Sequence, residues 1–117
     1  MERSRVYSGA PWEKRTGYCR AIRVGSQIFV SGTAPVADDG STFAPGDAYR
    51  QTRRCLDIVE RALAELGATL RDVVRTRMYV TDIGRFEDTP ARTERSSART
   101  LPRRPWSRSG HWYPRIC

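Results

Sequence analysis

The side chains in this 117-residue chain that are suited to covalent or metal chemistry are few and poorly spaced for it. Cys19, Cys55 and Cys117 form no C-x-x-C pair, and His111 is the only histidine. Neither a zinc site nor a disulfide framework follows from that spacing, so no metal and no cofactor is expected. The three cysteines are read as free thiols, with Cys55 in a core position. His111 is a weak general-base candidate, because no acidic orienter lies near it in sequence and no periodic element surrounds it. Arg75 and Arg77 alternate along a short segment, where they offer an anion site or, more simply, the solvated face of a strand.

Charge offers a second chemistry. The chain carries a net +8, and clustered cations neutralise nucleic-acid phosphates with release of counterions. The charge is uneven. Residues 1–88 hold 14 basic and 12 acidic side chains, a net +2, whereas residues 89–117 hold seven Arg against Glu94, a net +6. Seven Arg with Trp106, Trp112 and Tyr113 match in composition a segment that binds single-stranded RNA, with cations on phosphate and rings on bases. Lys14 is nonetheless the only lysine beside 20 arginines, a bias that GC-rich coding DNA produces without selection for binding. Nucleic acid is therefore not the expected partner.

The elements that must position any site are read from periodicity. In "YCRAIRVGSQIFVSG", Ile22 and Val24, then Ile28 and Val30, alternate on either side of Gly25-Ser26, which predicts a β-hairpin. "TAPVADDGSTFAPGD" is a surface loop by its Pro and Gly content. Asp47 is a helix N-cap for residues 48–66, in which Cys55, Ile58, Val59, Ala62, Leu63 and Leu66 recur at three- and four-residue spacing and Gly67 ends the run. The helix spans about five turns, so one face must be buried. Val74, Thr76, Met78 and Val80 alternate with Arg75, Arg77 and Tyr79, predicting a half-buried strand. A second helix is expected to start near Phe86. Two strands, a helix, a strand and a helix describe one α+β domain of sheet and helix.

No stretch approaches the roughly 20 apolar residues of a membrane span, and "MERSRVYSGAPWEKR" lacks the apolar centre of a signal peptide. A cytoplasmic protein without a membrane partner is expected.

Two stretches, "APWEKRTGYCRAIRVGSQIFVSGTAPV" and "APGDAYRQTRRCLDIVERALAELGATLRDVVRTRMYVTDIGRFED", closely resemble the RidA/YjgF family of imine-deaminase-like proteins over about residues 7–88. The resemblance implies a chorismate-mutase-like α+β fold and a homotrimer with its sheets around a central barrel. Active sites would lie in the clefts between subunits, where 2-iminopropanoate or 2-iminobutanoate is hydrolysed to the 2-oxo acid and ammonia. Tyr18 in "GYCR" matches the family's site-lining Tyr, and Ser31 and Gly32 in "VSG" match the strand end bordering the cleft. These three are the expected substrate-binding residues, although each also has a plain structural reading as part of a strand or its end. The partner implied is a small imino acid. The family's late segment, with an Arg that grips the substrate carboxylate and a Glu near the carboxyl end, has no counterpart here. The catalytic residues are therefore unassigned, and the C-terminal strands are expected to be missing or disordered.

After Asp88 all periodicity ends, and Pro90, Pro102, Pro105 and Pro114 punctuate an Arg-rich run. A shift of reading frame explains both the run and the absent segment. Back-translated with GC-rich codons and read from the third base, residues 89–113 can give "ARAHGAVFGAHPAATTMVEVGALVP", a RidA-like continuation. Codon degeneracy leaves latitude at many positions but little at some. The step from His111 to Trp112 forces Leu, that from Trp112 to Tyr113 forces Val, and that from Pro105 to Trp106 permits only Leu, Met or Val. The chain thus reads as a RidA-like domain over residues 1–88, incomplete, followed by an irregular, frameshifted tail over 89–117. The family's imine hydrolysis is expected of the intact parent and is expected to be impaired or lost in this chain. A non-catalytic RidA-like protein, or an RNA-binding protein using the basic tail, is the alternative.

Overall fold

Residues 1–82 are described by the computed structural model. Within them strand β1 (Arg3–Val6), helix α1 (Pro11–Thr16), strands β2 (Ala21–Val24) and β3 (Gln27–Val30), and helix α2 (Ala48–Glu65) follow one another, with a 3-10 turn over Leu70–Asp72. The sheet is antiparallel in the order β1-β2-β3.

The predicted hairpin is present. Gly25 turns it at φ +59, a backbone conformation that glycine adopts without steric cost. Val6, Ala21 and Val30 lie opposite one another across the three strands, as do Ser4, Arg23 and Ile28. Residues in direct register share a face of the sheet, and this face meets α2: Val6, Ala21, Ala62 and Leu66 form the buried cluster, with Ile28 and Val30 packed against it. Ile22 and Val24 fall on the other face, with Phe29 opposite Ile22. The two apolar pairs of the hairpin therefore point to opposite sides.

Helix α2 matches its expectation closely. The Asp47 carboxylate accepts the Arg50 N–H at 2.9 Å, satisfying one of the donors that every helix start leaves open. At the other end Gly67 takes φ +74 and Ala68 N–H closes onto the Leu63 carbonyl at 2.9 Å, the left-handed stop that Gly favours. Arg23 reaches from β2 to donate to the Leu66 carbonyl at 2.8 Å, placing a cation at the negative end of the helix. Cys55, expected in the core, is only half-buried, and Cys19 takes the buried position instead. The reason lies along the helix: its last turns sit on the sheet, whereas residues 51–59 are half-covered or exposed among the described residues.

Loop 33–47 is irregular, as read, and is tied to α2. Arg54 donates to the Val36 carbonyl at 2.7 Å and pairs with Asp38 at 2.9 Å. Gln51 donates to the Phe43 carbonyl at 3.2 Å, and the Arg50 and Arg54 guanidiniums lie over the Phe43 ring. Ser41 donates through its hydroxyl and its N–H to Asp39, holding that carboxyl below its ordinary value.

Three differences from the sequence reading stand out. β1 and α1 were not anticipated. The strand predicted over residues 74–80 is absent among the described residues: Val74 is 89 % exposed and the segment joins no sheet there. High β-propensity does not make a strand without a partner to complete its ladder. The helix expected near Phe86 and the segment 89–117 lie outside the described residues. No helix among the described residues is long and apolar enough to cross a membrane.

Candidate functional site

The segment preceding β2 is built on Glu13. Pro11 opens α1 in the first turn, where its missing N–H costs nothing. The Glu13 carboxylate, 4 % exposed, accepts from Ser8 N–H at 2.8 Å, Ser8 Oγ at 2.6 Å and Gly9 N–H at 3.1 Å. Its main-chain carbonyl then accepts the N–H groups of Gly17 and Tyr18, at 3.0 and 3.2 Å. One residue thus fixes both the turn after β1 and the turn that presents Tyr18.

Tyr18 enters beside the end of β3. Ser31 N–H donates to the Arg20 carbonyl at 3.1 Å and Ser31 Oγ to the Cys19 carbonyl at 2.7 Å, while Arg20 N–H donates to the Val6 carbonyl at 2.8 Å. Arg20 Nη2 crosses to the Gly32 carbonyl at 2.5 Å, and its guanidinium lies 5.9 Å from the centroid of the Tyr18 ring. Tyr18 and Ser31 are half-buried and Gly32 is exposed. Tyr18, Ser31 and Gly32 are accordingly gathered at the open end of the hairpin, away from the Gly25 turn.

The residue that joins them is Arg20, which sequence reasoning passed over. It is 8 % exposed, an unusual burial for arginine. Its sequence signal is slight, since Arg20 stands just before Ala21 at the head of a strand that also carries Arg23. Behind it, Cys55 Sγ donates to the Thr33 carbonyl at 3.5 Å. Burial pushes the Cys55 thiol up, against the opposing pull of Arg20 and Arg54, so it is held as a protonated thiol rather than as a nucleophile. Arg75 and Arg77 are exposed, in keeping with the solvated reading. His111 lies outside the described residues. Among the described residues no three His, Cys, Asp or Glu side chains gather as metal ligands do. The cluster offers a ring, a hydroxyl, main-chain groups at a strand end and a buried cation, the set suited to binding a small polar anion.

Comparison with known proteins places this hairpin and helix. The model of the family described as Endoribonuclease L-PSP matches residues 9–107. The chain belongs to the L-PSP family. This is the RidA/YjgF family. An uncharacterized protein of Streptomyces coelicolor is 38 % identical over 74 residues, 63 % of this chain and 54 % of that one. A RutC family protein of Pyrococcus abyssi is 38 % identical over 69 residues, 59 % of this chain and 54 % of that one. The chain spans about half the length of these curated relatives. Among solved structures, a member of the YjgF/YER057c/UK114 family from Mycobacterium tuberculosis superposes with a TM-score of 0.68 at 40 % identity, covering 82 % of this chain and 80 % of that one. The fold is therefore the α+β, chorismate-mutase-like fold of the L-PSP family.

Proposed function

We propose that the cleft at Tyr18, Ser31 and Gly32 belongs to an L-PSP protein that hydrolyses small 2-imino acids, such as 2-iminopropanoate and 2-iminobutanoate, to 2-oxo acids and ammonia. Water adds across the C=N bond, the tetrahedral carbon expels ammonia, and the carbonyl remains. Such chemistry requires a cation for the carboxylate and groups that place the water. The observation that carries the reading is the convergence of Tyr18, Ser31 and Gly32 on the buried Arg20 at one end of the hairpin.

The site is proposed to close between subunits of a homotrimer. Ile22, Val24 and Phe29 support this, because they form an apolar patch, flanked by Arg3, Arg5 and Gln27, on the face opposite the one that α2 covers. An exposed apolar patch rimmed by polar side chains is the pattern of a contact surface.

Residues 89–117 are proposed to be a wrong-frame translation, and the reaction to be weakened in this chain for want of the family's late Arg and Glu motifs. The stretches shared with the two curated relatives, 74 and 69 residues, support an early end to the resemblance, although the family match itself runs to residue 107. The coding DNA decides this point: bases across codons 88–113 that spell no RidA-like continuation in another frame would sink it. For the activity, 2-iminobutanoate generated in situ by an amino-acid oxidase is followed to 2-oxobutanoate. The chain with its frame restored should accelerate the step above the spontaneous rate.

A further inference from the structure

We propose that Arg20 is a positioning residue of the cleft that also supplies the positive charge by which it selects a carboxylate-bearing ligand. This rests on the proposed function for the identity of the ligand, but not for the charge.

Arg20 holds the site through four contacts. Its main chain bonds Val6 on one side and Ser31 on the other, its Nη2 fixes the Gly32 carbonyl, and its guanidinium lies beside the Tyr18 ring. Replacing it therefore loosens a strand end and a ring together. The side chain is 8 % exposed and its Nε is buried with no hydrogen-bond partner.

No described carboxylate forms an ion pair with it. Glu13 is taken by Ser8 and Gly9, Asp38 by Arg54, Asp39 by Ser41, and Asp72 by Thr69. A buried cation without a counter-ion is costly, and its pull on an anion is strong where water is excluded. The cost is offset when an anionic ligand enters. No R-P-A-T-like arginine stands in the late segment of this chain, and Arg75 and Arg77 are exposed, so Arg20 is the described cation placed to meet that need.

The test uses the full chain and two probes, 2-oxobutanoate and its uncharged amide, titrated while the amide resonances of Gly32 and Thr33 are followed. The wild-type chain should bind the carboxylate about tenfold or more tightly than the amide. R20K, which keeps the charge, should retain the preference, and R20Q, checked for folding by thermal melting, should lose it. A preference that survives in folded R20Q, or none in the wild type, overturns the inference. If R20Q does not fold, R20K decides: preference kept supports the inference, and preference lost overturns it. Carboxylate preference without imine turnover supports the role of Arg20 while contradicting the proposed function. Turnover with a preference independent of Arg20 contradicts the inference alone.

Discussion

Ile22 lies directly opposite Phe29 in the β2–β3 pair, on the face of the sheet turned away from α2. Phe29 is 53 % exposed, so a large ring stands in solvent beside an aliphatic neighbour. Because side chains alternate along a strand, the same register that sends Val30 and Ile28 into the core obliges Phe29 outward. The hairpin is thus committed to two apolar surfaces, and only one has a partner within the described residues.

Phe29→Arg should leave the α2-packed core intact, since it changes no residue of the buried cluster, while placing a charge on the proposed contact face. Sedimentation velocity checks it. In the frame-restored chain the expected outcome is a shift from trimer to monomer with the same circular dichroism spectrum. A restored chain that sediments as a monomer without the substitution would contradict the assembly.

Glu13→Ala should destabilise the chain by about 2 kcal/mol, because it strands hydroxyl and N–H donors that a buried carboxylate now satisfies. Urea unfolding measures the loss. The main-chain carbonyl that accepts the Tyr18 N–H is kept in this variant, so the effect on Tyr18 comes through the loosened anchor of α1, and the Tyr18 ring resonances should narrow toward those of a free side chain.

Cys55 should resist alkylation at neutral pH. Its thiol is pushed up chiefly by burial, while Arg20 and Arg54 pull the other way. The sign for stability follows. A folded-state value above the unfolded one means full stability below the unfolded thiol value, lost as pH rises through the folded value. Iodoacetamide labelling of the Cys55 peptide, read by mass spectrometry, should rise at higher pH in the folded chain than in urea. Arg20→Gln should move that rise higher still, and a downward move would contradict the closeness of the two groups.

How far the sequence led differs from element to element. α2 was legible because local signals agree: Asp47 caps it, Gly67 stops it, and an apolar stripe joins them. The hairpin was legible from its Gly-Ser turn and its alternation. β1 was not, because Arg3, Ser4 and Arg5 are exposed and Val6 is its sole buried residue, leaving no pattern to read. α1 was missed because it has no apolar stripe and is held by the bonds of Glu13, which are tertiary. Residues 74–80 failed in the other direction: their alternation is strong, but a strand is a relation between two segments. Of the candidate site, Tyr18, Ser31 and Gly32 were named through family resemblance, and Arg20 was not, since what singles it out is burial.

Turnover tests imine hydrolysis most directly. The rate at which 2-iminobutanoate becomes 2-oxobutanoate is to be measured with the chain as given, with the frame-restored chain, and with Tyr18→Ala in the restored chain. The restored chain is expected to exceed the spontaneous rate, the chain as given to fall well short of it, and Tyr18→Ala to lose about tenfold or more. A folded, trimeric restored chain that does not exceed the spontaneous rate would contradict imine hydrolysis as the work of this cleft.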